Sequence, residues 1–582
     1  MNAAPTDIFV LFLLLAPLSA VLVTLLSKLL PREVSQLPAF LIWFVGSLWA
    51  LLRTADAAGS VPRMYAFGGW REPLGIVFEL NGIGWAAALL ALVIFTAVWL
   101  VSWKQRGYGS SFYFTLYLTH FSLLGILFSR DLFNLFVWFE VLSLCSIILV
   151  AYDRTPTALL AAFKYLLLST VSITFFLIGV WIFYRSTGSL SFGEIAAYLK
   201  ELPRGAGAVS KTALALITVG IATRSAVVPF HTWLPPAHSS APYPVSALLS
   251  GLVIKVPLLA LWHFYAYLPF SPMEQLPTWL GIGGALVGGI AAVMQSDAKR
   301  ILAYSSVGQM GFIVAVFSFG GAFGEAASLF YILLHALSKS LLFLSVGYVT
   351  QHAGSRDVYI LRGMQRRFPL TAVWYWIAAL TLMGIPMSGG YYAKLLVSSS
   401  LYNHPGAWLL NIAGAATAIA LFKLGRIFTG PRADTEAGLG TGLRIGIAAE
   451  PGTSAKPITL GMALLAASCV AIALFPQHLF RFLSSLSVIG PGNPGSVIEG
   501  SGGAISGPIS GLSWYSSSSL LKAALITLSG TAGLFIFQIQ KVRKGIQTMF
   551  TAYSAGAGLN SSLRFLVAGL LLLLFLSHLE QF

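Results

Sequence analysis

Apolar runs of roughly twenty residues recur about sixteen times along this 582-residue chain, each closed by charge, Pro, Gly or Asn. Twenty apolar residues are what an α-helix needs to cross the hydrocarbon core of a bilayer. The runs therefore predict an all-α polytopic membrane protein with about 16 transmembrane helices. Composition agrees: 57% of the residues are hydrophobic and 9% charged, against about 25% charged in soluble domains. A soluble globule is excluded. Lys and Arg number 35 against 19 Asp and Glu, a formal charge of +16. Such an excess can signal nucleic acid, but in a chain of membrane spans it belongs in loops on one side of the bilayer. No nucleic-acid partner is expected; the lipid bilayer is one. The two cysteines, Cys145 and Cys469, lie inside apolar runs, and two thiols complete neither an iron–sulfur cluster nor a structural zinc site. No cofactor or metal is expected on this chain, so a redox centre would belong to a partner.

The basic residues orient the chain. Of the 35 cations, 19 fall in loops after odd-numbered spans, among them Lys28, Arg154, Lys299, Arg356 and Arg366. Ten fall after even-numbered spans, including Arg53, Arg63, Arg130 and Arg185. This bias places the odd loops in the cytoplasm and both termini outside, in a multi-pass protein of the cell (inner) membrane. The first span lacks a basic segment ahead of it and carries Asp7 at its start, so it reads as an uncleaved span. Residues 61–81 read as a short outside hairpin and 185–210 as a polar excursion. The Gly-, Ser- and Pro-rich stretch 483–519 reads as a flexible linker to two added spans, 517–540 and 562–579. The chain thus divides into 1–110 (three spans and the hairpin), 111–270 and 271–430 (five spans each) and 431–482 (a loop and span fourteen). The linker 483–519 and the final pair of spans in 520–582 complete it.

Six cations remain at membrane depth: Lys164, Arg224, Lys255, Lys339, Lys394 and Lys423. A cation there costs at least a few kcal/mol and by default marks function. Spans four to eight overlay on spans nine to thirteen, with Lys164 against Lys339, Arg224 against Lys394 and Lys255 against Lys423. Five is odd, so the second unit is inverted, and inverted repeats meeting at the midplane are a transporter architecture. Three matched cations also arise by chance. Helix breaks sharpen the pattern: Pro229 lies beside Arg224, Pro257 beside Lys255, and Pro386 eight residues before Lys394. Each removes a backbone donor and frees a carbonyl, which survives at this depth only where it lines protein or water. One such proline is explained by kinking alone; three beside three cations predict a hydrated polar axis.

Glu140, in LFNLFVWFE, is the one acid clearly in mid-span. Ionised, it needs a cation inside the membrane, either Arg224 or Lys164, unless the pair is purely structural. Among the histidines, His335 stands one helical turn before Lys339, His263 lies in span eight, and His231 and His238 flank the break HTWLPPAH. Imidazole exchanges protons near neutral pH, and a lysine crowded by cations in low dielectric can do so as well. A lone histidine is more simply a core residue; His335 is the exception. His231 and His238 lack the acid or thiol that would complete a metal set. GIGGALVGG at 281–289 reads as close helix packing and GLGTG at 438–442 follows no strand, so neither is a dinucleotide site. RGMQRRFP at 362–369 reads as a cytoplasmic loop against anionic headgroups or a partner.

FVWFE ending at Glu140, PFHTWLPPAHSSAPYPVSALLSGLVIKV at 229–256, DAKRILAYSSVGQMGF at 297–312, HALSKSLLFLSVG at 335–347 and GIPMSGGYYAK at 384–394 together resemble one family. It is that of the antiporter-like proton-translocating membrane subunits shared by respiratory complex I, Mrp-type sodium/proton antiporters and hydrogenase-4-like membrane-bound hydrogenases. The resemblance spans roughly residues 65–430. HTWLPPAH with SAPYPVSALLSGLVIK is more similar to the Mrp and hydrogenase branches. It implies two inverted five-helix repeats with broken seventh and twelfth helices. By resemblance Glu140, Lys255, Lys339 and Lys394 take the places of the family's ionisable residues; His335, Lys164 and His231 join the candidate set from the reading of the residues themselves. Arg224 stands where the family normally has lysine. Arginine is not deprotonated in a protein, so Arg224 is expected to act as a fixed charge switching with Glu140, leaving the first half-channel altered or silent.

The implied function is proton translocation driven by electron transfer in partner subunits of a complex I-like (NADH dehydrogenase (quinone)-like) or hydrogenase-like assembly. The partners are other membrane subunits and a peripheral electron-transfer module. Whether the chain counts as an enzyme depends on that assembly, since it carries no redox centre. The alternative is a subunit of an Mrp-type antiporter moving sodium against protons. A sodium site wants several hard oxygen ligands, and one acid among six cations favours protons. A scaffold without transport is the third reading.

Overall fold

The computed structural model describes residues 5–487 except 56–61, 71, 73–74, 104, 106, 203–206, 269–275, 318–320, 403 and 431–454, together with six residues between 520 and 528. The two spans expected at 517–540 and 562–579, and most of the 483–519 linker, lie outside the described residues. Helices α1 (Pro5–Leu26) and α2 (Arg32–Arg53) lead into the expected hairpin, β1 (Arg63–Ala66) and β2 (Val77–Leu80), paired antiparallel with Met64 opposite Glu79.

Next come α3 (Gly82–Ser102), α4 (Ser110–Phe128), α5 (Leu132–Val150), α6 (Pro156–Thr187), α7 (Phe192–Glu201), α8 (Ala208–Arg224), α9 (Leu234–Ser240), α10 (Tyr243–Leu248) and α11 (Val256–Tyr267). They continue as α12 (Leu276–Met294), α13 (Ala298–Phe317), α14 (Gly321–Ala353), α15 (Pro369–Met383), α16 (Gly389–Ser400), α17 (Ala407–Gly425), α18 (Ala455–Leu474) and α19 (Pro476–Ser487). Among the described residues, eleven helical spans are long and apolar enough to cross a membrane.

Local chemistry sets the helix starts. Asn81, Asp131 and Thr155 cap α3, α5 and α6, their side chains accepting from the backbone N–H of Gly84, Asn134 and Ala158. The cap on α6 is reinforced by Pro156 in its first turn, where no backbone donor is missed. The excursion after α6 holds the short helix α7, which buries Phe192, Ile195 and Leu199 on one face. Helix α19 continues through Ser487, into the segment expected as linker.

The helix breaks fall where prolines predict them, with one correction. The apolar run of span seven predicts a helix to residue 230, but α8 stops at Arg224. Pro229 cannot donate and disfavours helical backbone at the residue before it, and Ala226 already turns the chain at φ 52°. The break in span twelve, between Met383 and Gly389, likewise holds a non-glycine residue in the left-handed region, Met387 at φ 69°. Such residues cost about 1–3 kcal/mol and persist only where the surroundings fix them. In span eight the helix winds through a π turn, Leu249–Val253, before restarting at α11 with Pro257 in its first turn.

A pattern of lengths is repeated. Helices α4, α5 and α6 have 19, 19 and 32 residues and are followed by the broken α8–α9 span; α12, α13 and α14 have 19, 20 and 33 and are followed by the broken α15–α16 span. The glycines of GIGGALVGG pack α12 against α13 as expected. A Cβ on Gly288 would come within 2.2 Å of the Gly308 nitrogen, and one on Gly281 within 2.4 Å of the Ala315 nitrogen, so only glycine fits.

Candidate functional site: a buried polar axis

Two helices meet at the first charged pair. Arg224, the last residue of α8, points at α5, where its Nη2 lies 2.8 Å from Glu140 Oε1. Its Nη1 donates to the Phe139 carbonyl at 2.9 Å and to the Ser143 hydroxyl. Ser169 on α6 donates to Ser143 at 3.1 Å, extending the network to a third helix. The break after Arg224 is held by Trp233, whose indole N–H donates to the Thr223 carbonyl at 2.8 Å and whose ring stacks on Tyr165 at 4.2 Å. Of the two partners open to Glu140, the structure selects Arg224. Lys164 is half-buried on α6 and forms no ion pair with Glu140 among the described contacts. The pair is lopsided: the arginine side chain is 6% exposed and the glutamate 40%.

Lys255 and Lys339 are each fully buried and are joined through serines. Lys255 caps the start of α11, and its ammonium donates back to the Ser250 carbonyl in the π turn. The Ser250 hydroxyl pairs with that of Ser306 at 2.9 Å. The neighbouring Ser305 accepts from the Lys339 ammonium, which also donates to the Leu302 carbonyl at 3.0 Å. Helix α13 therefore carries adjacent hydroxyls, of which Ser305 meets Lys339 directly and Ser306 meets Ser250, whose carbonyl holds Lys255. Sequence reading found both lysines and none of these serines, because a serine in an apolar helix usually bonds its own backbone.

From Lys339 the polar groups continue along α14. Tyr331, His335 and Lys339 stand at four-residue steps and so share a face. Tyr331 donates to Gln309 Oε1 at 2.7 Å, and Gln309 donates to Thr417 on α17 at 3.3 Å. His335 is fully buried, and neither ring nitrogen has a hydrogen-bond partner in the described structure. His238, stacked on Phe343 at 5.0 Å, is in the same condition. Buried polar nitrogens of this kind are ordinarily satisfied by water. Beyond lies Lys394 in α16, which donates to the Met383 carbonyl at 2.7 Å across the break. It lines a cavity of about 450 Å³ with Tyr391, Ser398, Tyr402, Trp408 and Asn411.

The remaining candidates separate. His231 is 6% exposed, with Nδ1 unpartnered, in the segment between α8 and α9. Lys423 donates to the Val293 carbonyl at 2.7 Å and to that of Gln295, satisfying the end of α12, a helix-capping role. Two residues read as loop cations are in fact buried. Lys299 is 3% exposed at the start of α13 and donates to the Ala241 carbonyl. Arg130 is 8% exposed and lies against Glu79. Lys299 also lines a cavity of about 190 Å³ with Gln105, Asp153, Tyr243 and Arg356. Burial pushes the Asp153 carboxyl up, against the opposing pull of Lys299 and Arg356.

Residues 129–420 match the transmembrane family described as NADH:quinone oxidoreductase/Mrp antiporter. NADH-quinone oxidoreductase subunit N of Desulforudis audaxviator is 33% identical over 379 residues, covering 62% of this chain and 74% of that protein. A hydrogenase-4 component F homolog of Methylacidiphilum infernorum is 30% identical over 418 residues, 67% and 84% of the two chains. A Na(+)/H(+) antiporter subunit of Alkalihalophilus pseudofirmus is 28% identical over 370 residues, 62% and 74%. A chain of the Mrp complex from a Dietzia species superposes with a TM-score of 0.74 at 23% identity over 84% of this chain and 98% of its own. A chain of respiratory complex I from Thermus thermophilus superposes at 0.65 and 26%, over 81% and 99%. The match covers half of the chain and the fold agrees with it, so this protein belongs to the NADH:quinone oxidoreductase/Mrp antiporter family of polytopic membrane subunits.

Proposed function

We propose that this subunit translocates protons across the cell membrane, driven by electron transfer in a peripheral module held by partner subunits. The observation that carries the proposal is the buried polar cluster between the two ammonium groups: Lys255 donates to the Ser250 carbonyl, the Ser250 hydroxyl meets that of Ser306, and Ser306, Ser305 and Lys339 all donate to the Leu302 carbonyl. Lysine shifts its proton affinity readily when buried, and hydroxyls both donate and accept, so the two lysines carry protons and the serines, with water completing the gaps, pass them on. Glu140 and Arg224 form a pair that opens and closes next to this path, Arg224 as fixed charge. His335, Lys339 and Lys394 carry or gate the proton towards the cavity beyond α16, and Lys164 and His231 flank the first half. The repeated helix lengths support two inverted five-helix units, 111–270 and 271–430. Odd loops lie in the cytoplasm and both termini outside.

The 40% exposed flank of Glu140 supports contact with another membrane subunit. A mid-span carboxylate left against lipid costs several kcal/mol, and a neighbouring helix with a donor removes that cost.

Sodium/proton antiport is the second reading, favoured by the likeness to the Alkalihalophilus pseudofirmus antiporter protein. The test uses the whole assembly purified with its partners and reconstituted in liposomes. Reductant is expected to build a pH gradient, and iron–sulfur protein is expected in the preparation. A gradient raised by imposed sodium and not by reductant would overturn the redox-driven reading. Arg224→Lys separates charge from shape. Charge alone predicts that it keeps at least about half of the wild-type rate; loss of transport in an intact assembly would show that the guanidinium contacts to Phe139 and Ser143 are themselves required.

A further inference from the structure

A second buried cluster of ionisable groups lies away from the axis, where the hairpin meets the end of α11. Glu79 in β2 is 1% exposed. Its Oε1 accepts from Asn81 Nδ2 at 3.2 Å and lies 3.3 Å from His263 Nε2. Its Oε2 accepts from the Tyr267 hydroxyl and lies 3.6 Å from Arg130 Nη1. Arg130 in turn lies 3.1 Å from Glu72 of the hairpin turn and over the Tyr267 ring. From α7, Phe192 sets its ring against His263 at 5.6 Å. The ionisable and charged groups placed around His263 are therefore Glu79, Arg130, Tyr267 and, through Arg130, Glu72.

The orientation of Asn81 decides what His263 can do. Its Oδ1 caps α3 by accepting from Gly84 N–H at 2.8 Å. Its amide nitrogen must then be the atom that faces His263 Nε2, at 3.2 Å. One ring nitrogen therefore has two neighbours with opposite demands. A neutral ring with its proton on Nδ1 accepts from Asn81 at Nε2; a ring carrying Nε2–H, in the other neutral tautomer or doubly protonated, donates to Glu79. Both states of the ring are satisfied without moving the backbone.

Glu79 supplies a charge that does not switch. Burial raises its carboxyl, but the His263 and Tyr267 hydrogen bonds and Arg130 outweigh that, holding it down from 4.5 to about 2. A depressed carboxyl contributes stability that is fully present above its ordinary value and is lost only as pH falls through about 2.

Helix α11 links this cluster to the axis. Lys255, Leu259, His263 and Tyr267 follow one another at four-residue steps down one face. His263 therefore lies roughly 12 Å along the helix from Lys255.

We propose that His263, Glu79 and Asn81 form a proton-binding site at the hairpin end of α11, through which the hairpin side of the membrane exchanges protons with Lys255. The exchange step rests on the proton-translocation reading above; the binding site does not. In the reconstituted assembly, with pH set separately on each side, wild-type transport should depend on hairpin-side pH. His263→Gln preserves a side chain that can donate to Glu79 or accept from Asn81; it should cut the rate at least about tenfold and abolish that dependence. His263→Arg, permanently charged beside Glu79, should be equally insensitive to pH. A His263→Gln assembly with the wild-type rate and pH profile would overturn the proposal. Proton binding is read independently by nitrogen-15 resonance of labelled histidines, with His263 assigned by its loss in His263→Gln. Its ring should pass from the neutral to the doubly protonated pattern as pH falls from about 8 to about 5. A ring that keeps one pattern throughout overturns the site even where transport works. A ring that titrates in an assembly moving no protons supports the site and overturns the translocation reading instead.

Discussion

Lys339→Ala is expected to abolish proton translocation while leaving the assembly intact. The lysine is fully buried in α14, where its ammonium bonds Ser305 and the Leu302 carbonyl of α13 and it stands one helical turn from His335 on the same face. Its removal strands no partner. Ser305 already donates to the Leu302 carbonyl at 3.0 Å, so both atoms that Lys339 touches remain satisfied. Alanine is also the best helix former, and the loss of a buried charge without a carboxylate partner removes a desolvation cost. Folding should therefore survive, whereas a missing proton carrier costs about 100-fold or more in rate. Subunit content of the purified assembly and the initial rate of pH-gradient formation read the two separately. A rate of a tenth of wild type or more, with normal assembly, would remove Lys339 from the path.

Glu140→Gln is expected to be the second severe lesion, with a different signature. It leaves the Arg224 guanidinium charged and buried with neutral acceptors alone, the Phe139 carbonyl and the Ser143 hydroxyl among them, and no counter-charge. Breaking one side of a buried pair costs about 3–5 kcal/mol; the partial exposure of Glu140 puts the expected loss at the lower end. Transport should vanish and thermal stability should fall. Pairing it with Arg224→Gln removes the stranded charge, so the double variant should regain stability but not transport. Recovery of transport in the double variant would show that the pair is structural and not a switch.

The two lesions fall on residues of differing legibility. Lys339 and Glu140 were readable because a charge in an apolar run has no ordinary explanation. The breaks were readable because proline has a fixed backbone cost, and only the end of span seven was misplaced. What could not be read were groups whose side chains look ordinary. Ser250, Ser305 and Ser306 matter because the π turn before α11 and helices α13 and α14 bring them together with two lysines, and no local pattern encodes that meeting. Arg130 and Lys299 were assigned to loops because each stands at a span boundary. Their burial comes from neighbours distant in sequence: the hairpin for Arg130 and the start of α10 for Lys299. Glu79 was hidden for the same reason, sitting in a four-residue strand whose partner helix comes some 180 residues later.

The open flank of Glu140 also bears on the life of the chain in the cell. If a partner subunit covers that flank as proposed, a newly inserted copy would present a half-exposed carboxylate until its neighbour arrives. That makes the unassembled protein recognisable: membrane proteases and insertion chaperones can act on what the finished assembly hides. On that reading the residue proposed to gate protons would also mark an orphan for removal.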